Sequence, residues 1–123
     1  AAGLAALKFM ENNDLPSHAA ELGKRMLAQL KELEEESKHV GDVRGKGLML
    51  GVEFVRDKKT KKGAEDIARE VRKICYMKGL VIEMGGHYNN VARFLPPLVL
   101  TEELADKGVA IFREAVKETE RSL

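Results

Sequence analysis

Arg93 stands in the run Val91-Ala92-Arg93-Phe94-Leu95-Pro96-Pro97-Leu98, a cation among apolar residues. Its neighbours two places away, Val91 and Leu95, are apolar and share its face of a strand. A guanidinium in that setting is costly unless a charge or a cavity receives it. Its planar five-donor fork matches the two oxygens of a carboxylate. The pattern leaves two roles open, a structural ion-pair partner and an anion binder.

The other residues that could do chemistry are less well placed. Val43-Arg44-Gly45-Lys46-Gly47-Leu48 sets two glycines around a lysine and would expose N–H groups to an anion. The dinucleotide fingerprint, however, needs a strand before its glycines and a helix after them. Here the glycines lead into a strand and Gly51 comes one place late, so a tight turn into a buried strand is the better reading. His18, His39, His87 and Cys75 are the only soft metal ligands, and no two of them lie within about five residues, so zinc-ligand spacing is missing. Cys75 falls on the apolar stripe of a helix and reads as core. His87 stands in a turn that faces either solvent or a site. Arg56-Asp57-Lys58-Lys59-Thr60-Lys61-Lys62 is the densest basic run, but no aromatic residue interrupts it to stack on bases, and it reads as a solvated loop. No Gly-x-Ser-x-Gly turn and no Ser or Cys with a nearby base is present.

The elements that must position Arg93 follow from periodicity. Leu4, Leu7 and Met10 recur at helical spacing, Asn12-Asn13-Asp14 stops that helix and can cap the next, and Pro16 falls in the next helix's first turn. Leu22, Met26, Leu30 and Leu33 form one stripe, with Lys24, Lys31, Glu32 and Glu35 opposite. Gly41-Asp42 breaks this pattern. Leu48, Leu50, Val52 and Phe54 then alternate with Met49, Gly51, Glu53 and Val55, a strand expected to be buried on both faces. Ile67, Val71, Ile74 and Cys75 mark a third helix, closed by Gly79. Residues 80–84 and 91–95 read as strands joined by a turn over 85–90, with Pro96-Pro97 ending the second. Thr101 caps a last helix, whose inner face is expected to carry Leu104, Gly108, Ile111, Phe112 and Ala115. The fold class is therefore α+β: a small, mainly antiparallel sheet with helices packed on one face, as a single domain over residues 1–123.

Composition narrows the function. The 21 basic residues nearly cancel the 20 acidic ones, leaving a net charge of +1, which gives no reason to expect a nucleic-acid or acidic-membrane partner. A single cysteine permits no intrachain disulfide and points to a reducing compartment, the cytoplasm. No apolar run approaches the roughly 20 residues of a membrane span. The apolar start lacks a basic region ahead of it and reads as a helix, not a signal peptide. The chain opens at Ala1 without an initiator methionine, so a piece cut from a longer chain is expected.

Two motifs resemble a known family. Gly41-Asp42-Val43-Arg44-Gly45-Lys46-Gly47-Leu48-Met49-Leu50-Gly51-Val52-Glu53 is similar to the RGKGLMLGVE signature of class III, or omega, aminotransferases. Arg93-Phe94-Leu95-Pro96-Pro97-Leu98-Val99-Leu100-Thr101-Glu102-Glu103 is similar to their C-terminal R-x-x-PPL-x-x-T-x-E stretch. Ala2-Gly3-Leu4-Ala5-Ala6-Leu7 and the helix over 20–33 also fit, so the resemblance runs in order along essentially the whole chain. Met84-Gly85-Gly86-His87 followed by the arginine–proline motif is most similar to diaminobutyrate–2-oxoglutarate aminotransferases. The resemblance implies the C-terminal small domain of a fold-type-I enzyme, usually a homodimer, with the active site between large and small domains. It implies pyridoxal 5'-phosphate bound mainly by the large domain, which holds the Schiff-base lysine. It implies that Arg93 binds the substrate α-carboxylate, alternating with a large-domain glutamate, that the amine donor and 2-oxoglutarate are the small-molecule partners, and that this segment alone is inactive. Arg44 matches the first motif without an implied ligand. A stand-alone α+β interaction or regulatory domain is the competing reading, and nucleic-acid binding a poorly supported third.

Overall fold

A computed structural model describes all 123 residues. Its elements are α1 (Ala2–Asn12), α2 (Leu15–Glu36), β1 (Val40–Lys46), β2 (Met49–Phe54), α3 (Glu65–Met77), β3 (Glu83–Gly85), β4 (Val91–Phe94) and α4 (Glu102–Arg121). The four strands form one antiparallel sheet in the order β1-β2-β4-β3. This is the α+β arrangement that the periodicities predict.

Alternation along each strand decides what the sheet presents. On the inner face Val43 lies opposite Val52, Val52 opposite Ala92, and Leu50 opposite Phe94. All are buried, together with Phe54. α2 and α3 pack on this face through Leu22, Met26, Leu30 and Leu33 and through Ile67, Val71 and Cys75. α4 lies against both helices and sends Phe112 to the sheet. Its ring centroid is 6.2 Å from that of Phe54 and 5.0 Å from that of Phe94, the latter edge-on, a geometry that adds to plain area burial.

The glycine-rich stretch is not one turn. β1 runs through it, with a bulge between Val40 and Asp42, where the sequence pattern suggested a break. Only Gly47, at φ +57°, turns the chain into β2. That tip rests on α2 at Gly23: a Cβ there would fall 2.0 Å from the Gly47 carbonyl oxygen. A glycine inside a helix costs about 1 kcal/mol against alanine, and here it lets a helix and a hairpin tip touch backbone to backbone.

Other expectations shift in instructive ways. β2 is buried on one face only, since Met49 is exposed. β3 is shorter than residues 80–84, though Ile82 before it is buried. Asp14 adopts a left-handed conformation and makes no side-chain cap, whereas Pro16 in the first turn of α2, Gly79 after α3 at φ +89°, and Thr101, whose Oγ1 accepts the Leu104 N–H at 3.3 Å, behave as read. The buried face of α4 is Ala105, Val109, Phe112, Ala115, Val116 and Thr119. Leu104 and Gly108 instead flank a groove toward Leu80 and Pro97. The basic loop is more than solvated: Lys58 donates to the Glu34 carbonyl, Lys61 to the Gly41 carbonyl, and Arg56 pairs with Asp66. α1 buries none of its residues; Leu4, Leu7 and Phe9 are all exposed.

Candidate functional site

The sheet's outer face carries no helix. Its register sets one row across all four strands: Arg44 on β1, Gly51 on β2, Arg93 on β4 and Glu83 on β3. The next row holds Asp42, Glu53, Val91 and Gly85. Above these rows lies a cleft of about 490 Å³ lined by Arg44, Lys46, Met49, Gly51, Arg93 and Leu95, among others.

Arg93 is the predicted site residue, and it is one of the residues that line this cleft. The cost expected of a guanidinium in an apolar strand is not incurred, because the face is open: the side chain is 47% exposed, and Leu95 beside it is exposed while Val91 is buried. Its Nη2 donates to Glu83 Oε2 at 3.0 Å, directly across the β3–β4 pair. The guanidinium reaches that position over Gly85, where a Cβ would stand 2.7 Å from Nε and 2.9 Å from Cζ. Glu83 is its one acidic partner, and it escaped sequence reasoning. The hairpin signal in the two strands and the 85–90 turn held that pairing, because the register follows from centring the turn.

Arg44 differs. It donates to Asp42 and, at 2.8 Å, to Glu53, and these bonds, the one to Asp42 foremost, push its pKa further up. Two carboxylates already satisfy Arg44, while a single exposed one attends Arg93. The row therefore offers one guanidinium fixed in a network and one available to exchange partners.

The remaining candidates lie elsewhere and are not brought together. His18 Nε2 donates to the Leu100 carbonyl at 2.7 Å, and His39 Nδ1 to that of Val55 at 3.0 Å. His87 is exposed in the turn with its ring edge-on to Tyr88. Cys75 is buried, and desolvation pushes its thiol up to about 12, so it is no nucleophile at neutral pH. These residues form no group of metal-ligand type. No helix is long and apolar enough to cross a membrane.

Comparison with known proteins bears on the family and the fold. The aminotransferase class-III family model matches residues 1–116. The chain is 41% identical over 122 residues to the alanine/serine racemase of Pyrococcus horikoshii, covering 97% of this chain and 25% of that protein. It is 34% identical over 113 residues to the diaminobutyrate–2-oxoglutarate aminotransferase of Rhizobium meliloti, covering 87% and 24% respectively. An amine transaminase from an uncultivated Pseudomonas species, solved in its PLP-bound form, superposes with a TM-score of 0.85 at 32% identity over 94% of this chain and 26% of that one. The chain thus spans about a quarter of the length of the relatives it matches. On the family model, these relatives and the shared fold, the chain belongs to the class III aminotransferases.

Proposed function

We propose that this chain is the C-terminal small domain of a longer, dimeric, cytoplasmic pyridoxal-phosphate aminotransferase. That enzyme moves an amino group from an omega-amine donor, with 2,4-diaminobutyrate the favoured one, to 2-oxoglutarate. The domain's share is to hold the substrate α-carboxylate on the Arg93 fork and to close against the large domain. The observation that carries the reading is the half-exposed Arg93 guanidinium lining an uncovered cleft, with one exposed counterion. The relatives' names span racemization and transamination, so donor and acceptor rest on the motif likeness around residues 84–97.

Members of this family use pyridoxal phosphate, an electron sink for bonds at the amino acid's α-carbon. We infer that the large domain, and not this chain, supplies most of its cradle. Every lysine is exposed except Lys58, which is partly covered and donates to the Glu34 carbonyl. Lys78 is shifted up by Glu114, away from the neutral amine a Schiff base needs. The exposed apolar residues of α1 supply a surface for the large domain.

The test is kinetic. In the full-length enzyme, Arg93→Ala should lower kcat/KM for 2-oxoglutarate by roughly 30-fold or more, the consequence of losing about 2 kcal/mol or more from a charge pair that the bound substrate covers. Arg93→Lys should restore part of it, since an ammonium keeps the charge but not the bidentate geometry. Wild-type kcat/KM in both variants would refute the assignment. The 123-residue chain by itself should show no turnover, and borohydride reduction with pyridoxal phosphate should leave no lysine stoichiometrically labelled.

A further inference from the structure

We propose that the exposed face of α3, on the helix-covered side of the sheet, carries a binding site for a nucleoside phosphate.

Arg69, Arg72, Lys73 and Tyr76 follow one another along α3 at helical spacing, so they share one face of the helix. The opposite face, with Ile67, Val71, Ile74 and Cys75, is buried in the core. The four outward side chains meet Val81 and Ile82, on the segment leading to β3. Together the six line a cleft of about 430 Å³, a volume in the range of small-ligand pockets.

The charge of this cleft sets it apart in the chain. Arg25, Arg44, Arg56, Arg93 and Arg113 each have a carboxylate partner. Arg69 and Arg72 form no ion pair, and they stand one helical turn apart. Lys73 pairs with Glu70 at 3.2 Å, but both ends of that pair are exposed and the bond is weak. No carboxylate lines the cleft, so three cations converge there in a chain whose net charge is only +1. Two free guanidinium forks side by side offer the bidentate donors that phosphate oxygens accept.

The apolar part of the cleft suits a planar ring. Tyr76 is 73% exposed and Val81 78%, and an uncovered tyrosine ring is a stacking surface for a base. At a rise of about 1.5 Å per residue, Arg69 and Tyr76 stand roughly 10 Å apart along the helix, comparable to the reach from base to phosphates in an extended nucleotide. An acidic peptide fits less well. It would have to run along the free edge of β3, which is three residues long and carries the exposed Glu83, a short edge with a repelling charge.

The experiment titrates the full-length enzyme, saturated with pyridoxal phosphate, with ADP, pyrophosphate and adenosine in a calorimeter. ADP should saturate at sub-millimolar concentration, with pyrophosphate and adenosine each weaker by roughly 10-fold or more, since each keeps only one of the two kinds of contact. Arg72→Ala and Arg69→Ala should each weaken ADP and pyrophosphate by roughly 10-fold. Tyr76→Ala should weaken ADP by roughly 5-fold or more and leave pyrophosphate unchanged. These positions are exposed, so melting temperature and basal turnover should stay at wild type in all three variants. Absence of saturable ADP binding would overturn the proposal. So would pyrophosphate binding as tightly as ADP with Tyr76→Ala without effect, the behaviour of a bare anion patch, or a glutamate-rich peptide binding more tightly than ADP. Loss of ADP binding in Arg93→Ala, with Arg69→Ala and Arg72→Ala at wild type, would place the nucleotide in the Arg93 cleft and equally refute the α3 site.

Discussion

Along β4, Ala92 and Phe94 point into the core while Val91 and Arg93 line the opposite face. One step along the chain separates a side that is buried and apolar from one where charges meet water. On the inner face each residue is fixed by its neighbours: Phe94 by Phe112, Val52 by Val43 and Ala92. On the outer face Arg93 has a single exchangeable partner. Close packing makes the first face a source of stability and a poor place for recognition. Openness makes the second face nearly irrelevant to stability and free to bind. If this division holds, substitutions on the two faces should fail different assays.

The largest effect is expected inside. Phe112 is fully buried and bridges two sheet phenylalanines, so Phe112→Ala should destabilise the fold by about 3–5 kcal/mol, read as a shift in a denaturant midpoint. A loss under about 1 kcal/mol would mean that α4 is not part of one core with the sheet.

Gly23 tests the boundary between the faces, where the β1–β2 tip meets α2. Helix propensity alone favours Gly23→Ala by about 1 kcal/mol. The 2.0 Å approach of the Gly47 oxygen opposes it, and displacing a backbone segment costs about 1–3 kcal/mol. The clash should win and the variant should melt lower. A stabilised variant would show that the tip is free to lift.

A smaller effect belongs to the charged rim. Hydrogen bonds from Arg25 first and Gln29 second hold the Asp106 carboxyl at about 2, below its ordinary value of 3.8. A depressed carboxylate contributes stability above its unfolded pKa and loses it as pH falls through the folded one. Stability should therefore decline as pH drops from about 4 toward 2, and Asp106→Asn should flatten that part of the profile. A profile identical to wild type would remove Asp106 from the account.

The fold was legible where one face of an element was apolar and the other was not. The stripes of α2 and α3 and the alternation of β2 are of this kind. It was less legible where small residues blurred the stripe. α4 turns Ala105 and Val109 inward instead of Leu104 and Gly108, because alanine packs closely where leucine can line a flanking groove. β1 was hidden by Gly41, Gly45 and Asp42, poor strand formers that pairing with β2 overrides. At the site, Arg93 showed in the sequence as a charge out of place. Glu83 did not, since a glutamate at a strand end is unremarkable until the register sets it opposite the arginine.

One measurement tests the division of the sheet most directly: Arg93→Ala in the full-length enzyme, with melting temperature and single-turnover rate of the 2-oxoglutarate half-reaction taken on the same sample. An exposed pair is worth about 0–1 kcal/mol, so the melting temperature should barely move while the half-reaction slows by roughly 30-fold or more at sub-saturating substrate. A sharply lowered melting temperature with a near wild-type half-reaction would make Arg93 a structural ion-pair residue and contradict the account.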